Sequence, residues 1–287
     1  MDSKELGLVI IQQLTGIQDL HYGYWDENAK PTILEFTTAQ KRYSDGIISS
    51  ISEVLGTATN ARILDVGCGT GGILVQLLQR GYQVDGVIPA AYLKEQLDKR
   101  LQQIHTSYVP KIYECLFEKY PETDSSARYD LVFFSESFQY VLIEQCFMKL
   151  KSILKKQGKV LICDFFKSIH HDDQGVGDKC IGGGHDINIF YKLIEDYNFN
   201  ILKDSDITKN LSPNMELIDE ILMQRVYPAT RIIDKYLVRE HPIIQKGLKL
   251  IFRKKINKIN LKYFSGLRNK QVFEKYKTYR LVILENC

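Results

Sequence analysis

The stretch Ile63–Gly72, ILDVGCGTGG, governs how the rest of the chain is read. A short apolar run delivers one acid, Asp65, into a turn that holds Gly67, Gly69, Gly71 and Gly72. Glycine is needed where backbone takes a positive φ or must approach a ligand closely. The residues that follow, Gly71–Arg80, have the spacing of an amphipathic helix stopped by Gly81, so the turn joins a strand to a helix. Unpaired N–H groups at a helix start favour a carboxylate or a phosphate. In open α/β sheets this junction, at the carboxyl end of the first strand, is where ligands bind.

The pattern continues outward from the turn. Ala61–Val66, Tyr82–Ile88, Lys111–Leu116, Tyr129–Phe134 and Gly158–Phe165 are expected strands. Ala90–Leu101 and Glu144–Leu154 are expected helices between them. This alternation predicts a parallel sheet covered by helices on both faces. Beyond it come a helix over Ile187–Tyr197, a strand over Phe199–Asp204, and a β-rich run, Thr278–Leu284, placed to pair antiparallel. The expected fold is therefore Rossmann-like: a seven-stranded, mostly parallel sheet with an antiparallel last strand, helices on both faces and a helical lid. Its parts are a helical cap (1–60), an α/β core (61–207), a helical lid (208–272) and a closing strand (273–287). In the cap, Leu6, Val9, Ile10 and Leu14 recur at helical spacing. Ile47, Ile48, Ile51 and Leu55 do the same, and Gly56 closes the second helix.

Composition adds limits. The net charge of +3 is too small to imply nucleic acid by itself. The six cysteines include no C-x-x-C pair, and a chain this long needs no disulfides, so they read as reduced thiols of a cytoplasmic protein. No apolar stretch reaches the length of a membrane-spanning helix, and the N-terminus lacks the features of a secretory signal.

By spacing alone, Gly67, Gly69 and Gly72 also satisfy the G-x-G-x-x-G of dinucleotide enzymes. The whole string D-V-G-C-G-T-G, however, resembles the first motif of class I S-adenosylmethionine (SAM) dependent methyltransferases. Tyr129–Val141, YDLVFFSESFQYV, resembles their fourth strand and its loop. Ile153–Asp164 resembles a later motif, with Lys156-Gln157-Gly158 at its turn in place of the usual proline and double glycine. FEKYKTYRLVILEN resembles their last strand. No metal is expected from the adjacent spacing of His170–Asp173; the resemblance implies SAM as cofactor and S-adenosylhomocysteine as product. It places Asp65, Gly67, Cys68, Gly69 and Gly71 on the methionine part, with Tyr24, Cys115, Leu116, Ser135 and Glu136 also toward the cofactor. The acid that usually ends the second strand and binds ribose falls on Ile88. Asp85 lies an odd three residues earlier, which points it to the other face; it reads as a surface aspartate or an alternative ribose contact.

His21-Tyr22-Gly23-Tyr24-Trp25 resembles the H-x-G-Y-W segment that closes over cofactor and substrate in small-molecule methyltransferases. Tyr22, Trp25, Gln139 and Tyr140 are the expected acceptor contacts; the competing reading is an aromatic cluster tying the cap to the sheet. An oxygen acceptor needs a base, and His185, His170, His171 and Glu136 are the candidates. His185-Asp186 follows three glycines, so Asp186 could orient the histidine or simply cap the next helix. The run His170–Asp173 has adjacent rather than one-face spacing, which suits a solvated loop better than a metal.

Residues 246–280 carry twelve lysines and arginines against the single acid Glu274. Lys246–Leu261 can form a helix with Leu248, Ile251, Ile256 and Ile259 inward. A solvated lid face, a clamp for an anionic or carrier-bound acceptor, a membrane-surface helix and an RNA-binding face all fit this bias. The expected activity is methyl transfer to a small natural-product or lipid-like acceptor, at oxygen in preference to nitrogen or carbon. The alternatives are an RNA or protein methyltransferase and a non-catalytic SAM-binding protein. Ser135-Glu136-Ser137-Phe138 stands where nucleobase amino methyltransferases carry N/D-P-P-Y/F, so nucleic acid is the weaker partner. The oligomeric state has no sequence signal.

Overall fold

The computed structural model describes residues 12, 16, 17, 19, 21–27, 29–56, 60–121, 128–170, 175, 177 and 180–287. The expected N-terminal helix around Leu6–Leu14 lies outside the described residues.

Helix α1 (Ile33–Leu55) starts at Thr32, whose hydroxyl accepts from Glu35 N and donates to the Glu35 carboxylate. This reciprocal pair supplies partners at the helix start. It ends at Gly56, whose φ of 62° no side chain hinders. Then come β1 (Arg62–Val66), α2 (Gly72–Gln79), β2 (Gln83–Val87), α3 (Ala91–Leu101), β3 (Ile112–Tyr113) and β4 (Tyr129–Ser135). These are followed by α4 (Ile143–Ile153), β5 (Leu154–Lys167), α5 (Ile187–Asp196) and β6 (Phe199–Asp206). A helical segment follows: α6 (Thr208–Leu211), α7 (Pro213–Glu220), a π-helical turn (Ile221–Val226), α8 (Tyr227–Glu240), α9 (Pro242–Ile251), α10 (Arg253–Tyr263) and α11 (Lys270–Tyr276). Strand β7 (Lys277–Asn286) completes the sheet.

The seven strands lie in the order β3-β2-β1-β4-β5-β7-β6. Strand β7 runs antiparallel to β5 and β6, and the remaining pairs are parallel. The order reverses between β1 and β4, which opens a crevice at their carboxyl ends. Side-chain alternation divides the core between two faces. Ile63, Phe133, Leu161 and Ile283 pack with α1 and α2, while Leu64, Val132, Ile162 and Leu284 pack with α4 and α5.

Three local expectations change. Strand β3 is two residues, not the six of Lys111–Leu116, because the chain turns after Tyr113 into a 3-10 segment at Phe117 and leaves Leu116 exposed. Strand β5 begins at Leu154. Its tight turn places the positive φ of 60° on Gln157, and Gly158 is required because a Cβ there would lie 2.9 Å from Lys155 O. The basic segment is broken at Phe252 into α9 and α10, and Leu248, Ile251 and Ile259 face solvent rather than the interior. Gln245 is the one buried residue of these helices, so their apolar side chains are not taken up by a core.

All six cysteines are free thiols. Among the described residues no helix is long and apolar enough to cross a membrane.

Candidate active site

The glycine turn is built as its composition requires. Gly67, Gly69 and Gly71 have φ of 78°, 55° and 84°, a region that L side chains disfavour. The amides of Gly67 and Cys68 both donate to Val87 O, at 2.8 and 3.2 Å, which ties the turn to the end of β2. A Cβ on Gly67 would lie 2.4 Å from the Ser137 Cβ. The turn and the β4 loop therefore touch, and the Ser137 hydroxyl donates to Val66 O across the contact. Cys68 is buried with its sulfur against Gly86, and its thiol pKa is pushed up by burial.

Asp65 is 3% exposed, and burial drives its carboxyl pKa well above the ordinary range. Among the described residues no hydrogen bond reaches its side chain. A buried carboxylate in this position gains from a cationic partner. The start of α2, by contrast, is served from within. Asp19 Oδ1 accepts from Thr70 Oγ1 and from the Arg100 guanidinium, both at 2.9 Å, and sits against Gly72. Asp19 and Arg100 carry no motif and were not legible in advance.

The end of β4 carries a second set of groups. Glu136 adopts a φ of 55°, unusual for a residue with a side chain. Its Oε1 accepts from Tyr22 N at 2.9 Å and from the Tyr279 hydroxyl at 2.8 Å. Desolvation raises its pKa to about 8 against the lowering effect of these bonds, and the nearby Asp164 raises it further. Asp164 is 1% exposed, bonded by Gln139 N, Gln139 Nε2 and Phe165 N, and pushed by burial to about 7. Beside them the Tyr43 hydroxyl lies 3.0 Å from Ser135 Oγ and 3.4 Å from the Tyr279 hydroxyl. The site thus joins the ends of β4, β5 and β7 with α1 and the 21–25 segment.

That segment is fastened from the lid by two asparagines: Asn210 exchanges bonds with the Trp25 backbone, and Asn214 bonds Gly23 and Trp25. Asn214 Oδ1 accepts from Gly23 N at 2.9 Å and Trp25 Nε1 at 3.1 Å, while its Nδ2 donates to Gly23 O and Leu211 O. Trp25 is buried with Ala39 and Leu217. Gly23 passes so close to α1 that a Cβ would fall 2.5 Å from that of Ala39.

Residues 64–162 match the model of a methyltransferase domain family. The matched stretch takes in the glycine turn and strands β2 and β4, so this part of the chain is similar to a methyltransferase domain. The chain is also similar to a sterol 4-C-methyltransferase of Caenorhabditis elegans, with 27% identity over 42% of this chain and 36% of that protein. Its curated relatives are matched over less than two thirds of their lengths. In fold it resembles a Galdieria sulphuraria protein assigned as a sarcosine dimethylglycine methyltransferase (TM-score 0.72, 16% identity, 97% of both chains). It also resembles geranyl diphosphate C-methyltransferase of Streptomyces coelicolor (TM-score 0.67, 16% identity, 96% of this chain and 93% of that one).

Around this matched region the remaining candidates separate. Ile88 is buried at the end of β2, its amide donating to Tyr113 O. Asp85 is neither exposed nor at the crevice. It is fully buried and accepts from Arg62, Tyr108 Oη, Tyr129 Oη and Lys111 N, because its strand parity turns it away from the ligand side. Cys115 is half-buried and Leu116 exposed, and Tyr24 packs against the α1–α2 core. Tyr140 is 69% exposed at the rim, and Gln139 is turned inward to Asp164. His185 Nε2 donates to Phe138 O at 2.9 Å and its ring meets the Phe138 edge, while burial lowers its pKa. Asp186 caps α5 through Asn188 N and Ile189 N rather than facing His185. His170 is exposed. His171, Asp172 and Asp173 lie outside the described residues. Among the described residues no cluster of three His, Cys, Asp or Glu side chains has metal-binding geometry.

The site also contains a cation that the sequence placed only within the basic stretch. Arg268 lies between α10 and α11; its Nε is buried without a partner among the described residues, while another nitrogen donates to Cys180 O. Its charge acts on both Tyr22 and Tyr140.

Proposed function

We propose that the chain moves a methyl group from SAM to a small-molecule acceptor, with an oxygen nucleophile favoured and Glu136 as the proton acceptor. The observation that carries this reading is Glu136 itself. It is a carboxylate with a pKa near 8, held in a strained backbone beside the glycine turn and presented at the carboxyl end of β4. A base whose pKa lies near working pH combines adequate ionisation with useful proton affinity.

The residues at the turn fit SAM. Buried Asp65, without a partner among the described residues, suits the ammonium of its methionine part, and the positive-φ glycines keep side chains out of its path. SAM supplies an electrophilic methyl on a sulfonium sulfur, whose displacement needs in-line approach of the acceptor. Ile88 offers ribose an apolar wall in place of the usual acid. Tyr22 and Tyr140 would contact the acceptor, with Trp25 acting indirectly by locking the 21–25 segment. The cap and lid close the crevice over it. Arg268, whose buried Nε has no partner among the described residues, supports an acceptor that carries an anionic group, on a carrier or as part of the molecule. Cysteines without a disulfide support a reducing, cytoplasmic setting.

A second reading is methylation at carbon, favoured by similarity to the sterol 4-C-methyltransferase. Calorimetry with SAM and S-adenosylhomocysteine tests the cofactor, and absence of binding at millimolar concentration overturns both readings. A screen of phenols, hydroxy acids and sterols then separates them. A rate that rises with pH through about 8 supports oxygen and Glu136, whereas a flat profile supports carbon.

A further inference from the structure

Helix α9, Pro242–Ile251, is amphipathic and packed inside out. Its polar side is the one that meets the protein. Gln245, 8% exposed, donates to Asp234 Oδ1 of α8 at 2.9 Å, and Lys249 binds Asp234 Oδ2 at 3.1 Å. Its apolar side faces solvent: Ile243 is 86% exposed, Leu250 77%, Ile251 75% and Ile244 57%. At the 100° step of a helix these four fall within one arc of roughly a third of the circumference. On α8, Ile232 and Ile233 are 69% and 59% exposed. Soluble surfaces rarely leave so many large apolar side chains together in water without a partner to cover them.

The charge around this face says what the partner is. Residues 242–262 carry Lys246, Lys249, Arg253, Lys254, Lys255, Lys258 and Lys262 and no acid. Apolar side chains flanked by lysines are the composition of a helix that lies in a bilayer interface, its hydrocarbon groups among acyl chains and its ammonium groups among anionic headgroups. A second copy of the chain is disfavoured as occupant, since it would set like-charged segments against each other.

We infer that α9, with the start of α10, docks the protein on an anionic lipid surface. The inference concerns this face alone and does not depend on which acceptor is methylated. The lid that carries this face also contains Asn214 and Arg268, which gives an acceptor a route from the lipid phase to the site without crossing water.

Flotation of the full chain with phosphatidylcholine vesicles, with and without phosphatidylserine, tests it. At low salt we expect at least about tenfold more protein on the anionic vesicles, the excess shrinking as salt rises. The combined substitution I243D/L250D/I251D should abolish binding, and K254E/K255E/K258E should remove the preference for phosphatidylserine. Both leave buried positions untouched, and unchanged circular-dichroism melting curves verify that they fold. Equal recovery on neutral and anionic vesicles, or none on either, overturns the inference. So does a dimer seen in sedimentation that I243D/L250D/I251D dissolves while no vesicles are bound.

Discussion

Two carboxylates at the site differ in what surrounds them, and their expected behaviour differs with it. Glu136 has partners and an elevated pKa; Asp65 is buried with none among the described residues. Glu136→Gln keeps the shape of the side chain and removes the base. The rate on an oxygen acceptor should fall by about 10²–10⁴-fold, and the rise in rate through about pH 8 should vanish, as read from initial rates across pH. Asp65→Asn should weaken SAM binding by about tenfold or more in calorimetry, through loss of a charge-assisted bond. The same change should raise the melting temperature of the unliganded protein, since a desolvated carboxylate is exchanged for a neutral amide. Both acids stood in legible motifs. Their surroundings did not, because Tyr43, Asp164 and Tyr279 come to Glu136 from three other elements, and the motifs that hold Asp164 and Tyr279 do not show that the three meet there.

At the level of elements, strand parity decides what an acid does. Asp85 lies on β2 facing away from the crevice, where four donors from β1, β4 and the β3 approach converge on it. Asp85→Ala would strand Arg62 and two tyrosine hydroxyls, costing about 3–5 kcal/mol in urea unfolding, with little direct effect on the cofactor site. The alternation of β1 and β2 was readable; that the far side of β2 was buried under tyrosines was not. The 21–25 segment shows the reverse case. Its aromatics were conspicuous, but among the residues holding it is Asn214, which carries no motif and lies 189 positions from Trp25. Asn214→Ala removes four hydrogen bonds and should cost about 1–3 kcal/mol, with faster proteolysis of the N-terminal region as the second readout.

The whole molecule should register its two enclosed acids as a pH dependence of stability. Glu136 rises from an ordinary 4.5 to about 8 and Asp164 from 3.8 to about 7, so the folded state holds both protons more tightly than the unfolded chain. Their contribution is complete below about pH 4 and is lost as pH climbs through 7 and 8. Calorimetric melting of the wild type and of E136Q/D164N should therefore diverge from pH 5 to pH 8, with the variant losing less stability over that range. The sequence by itself determined the alternating strands and helices, the glycine turn and the methyltransferase resemblance. Those follow from local periodicity and from backbone angles that glycine alone accepts freely. Only the tertiary structure decided that Asp85 is internal, that His185 is bonded to Phe138 O, that Asn214 clasps the cap, and that the apolar side of α9 looks outward. Each of these depends on what lies opposite a side chain, and a helix's periodicity shows that it has an apolar side without showing which side the protein will cover.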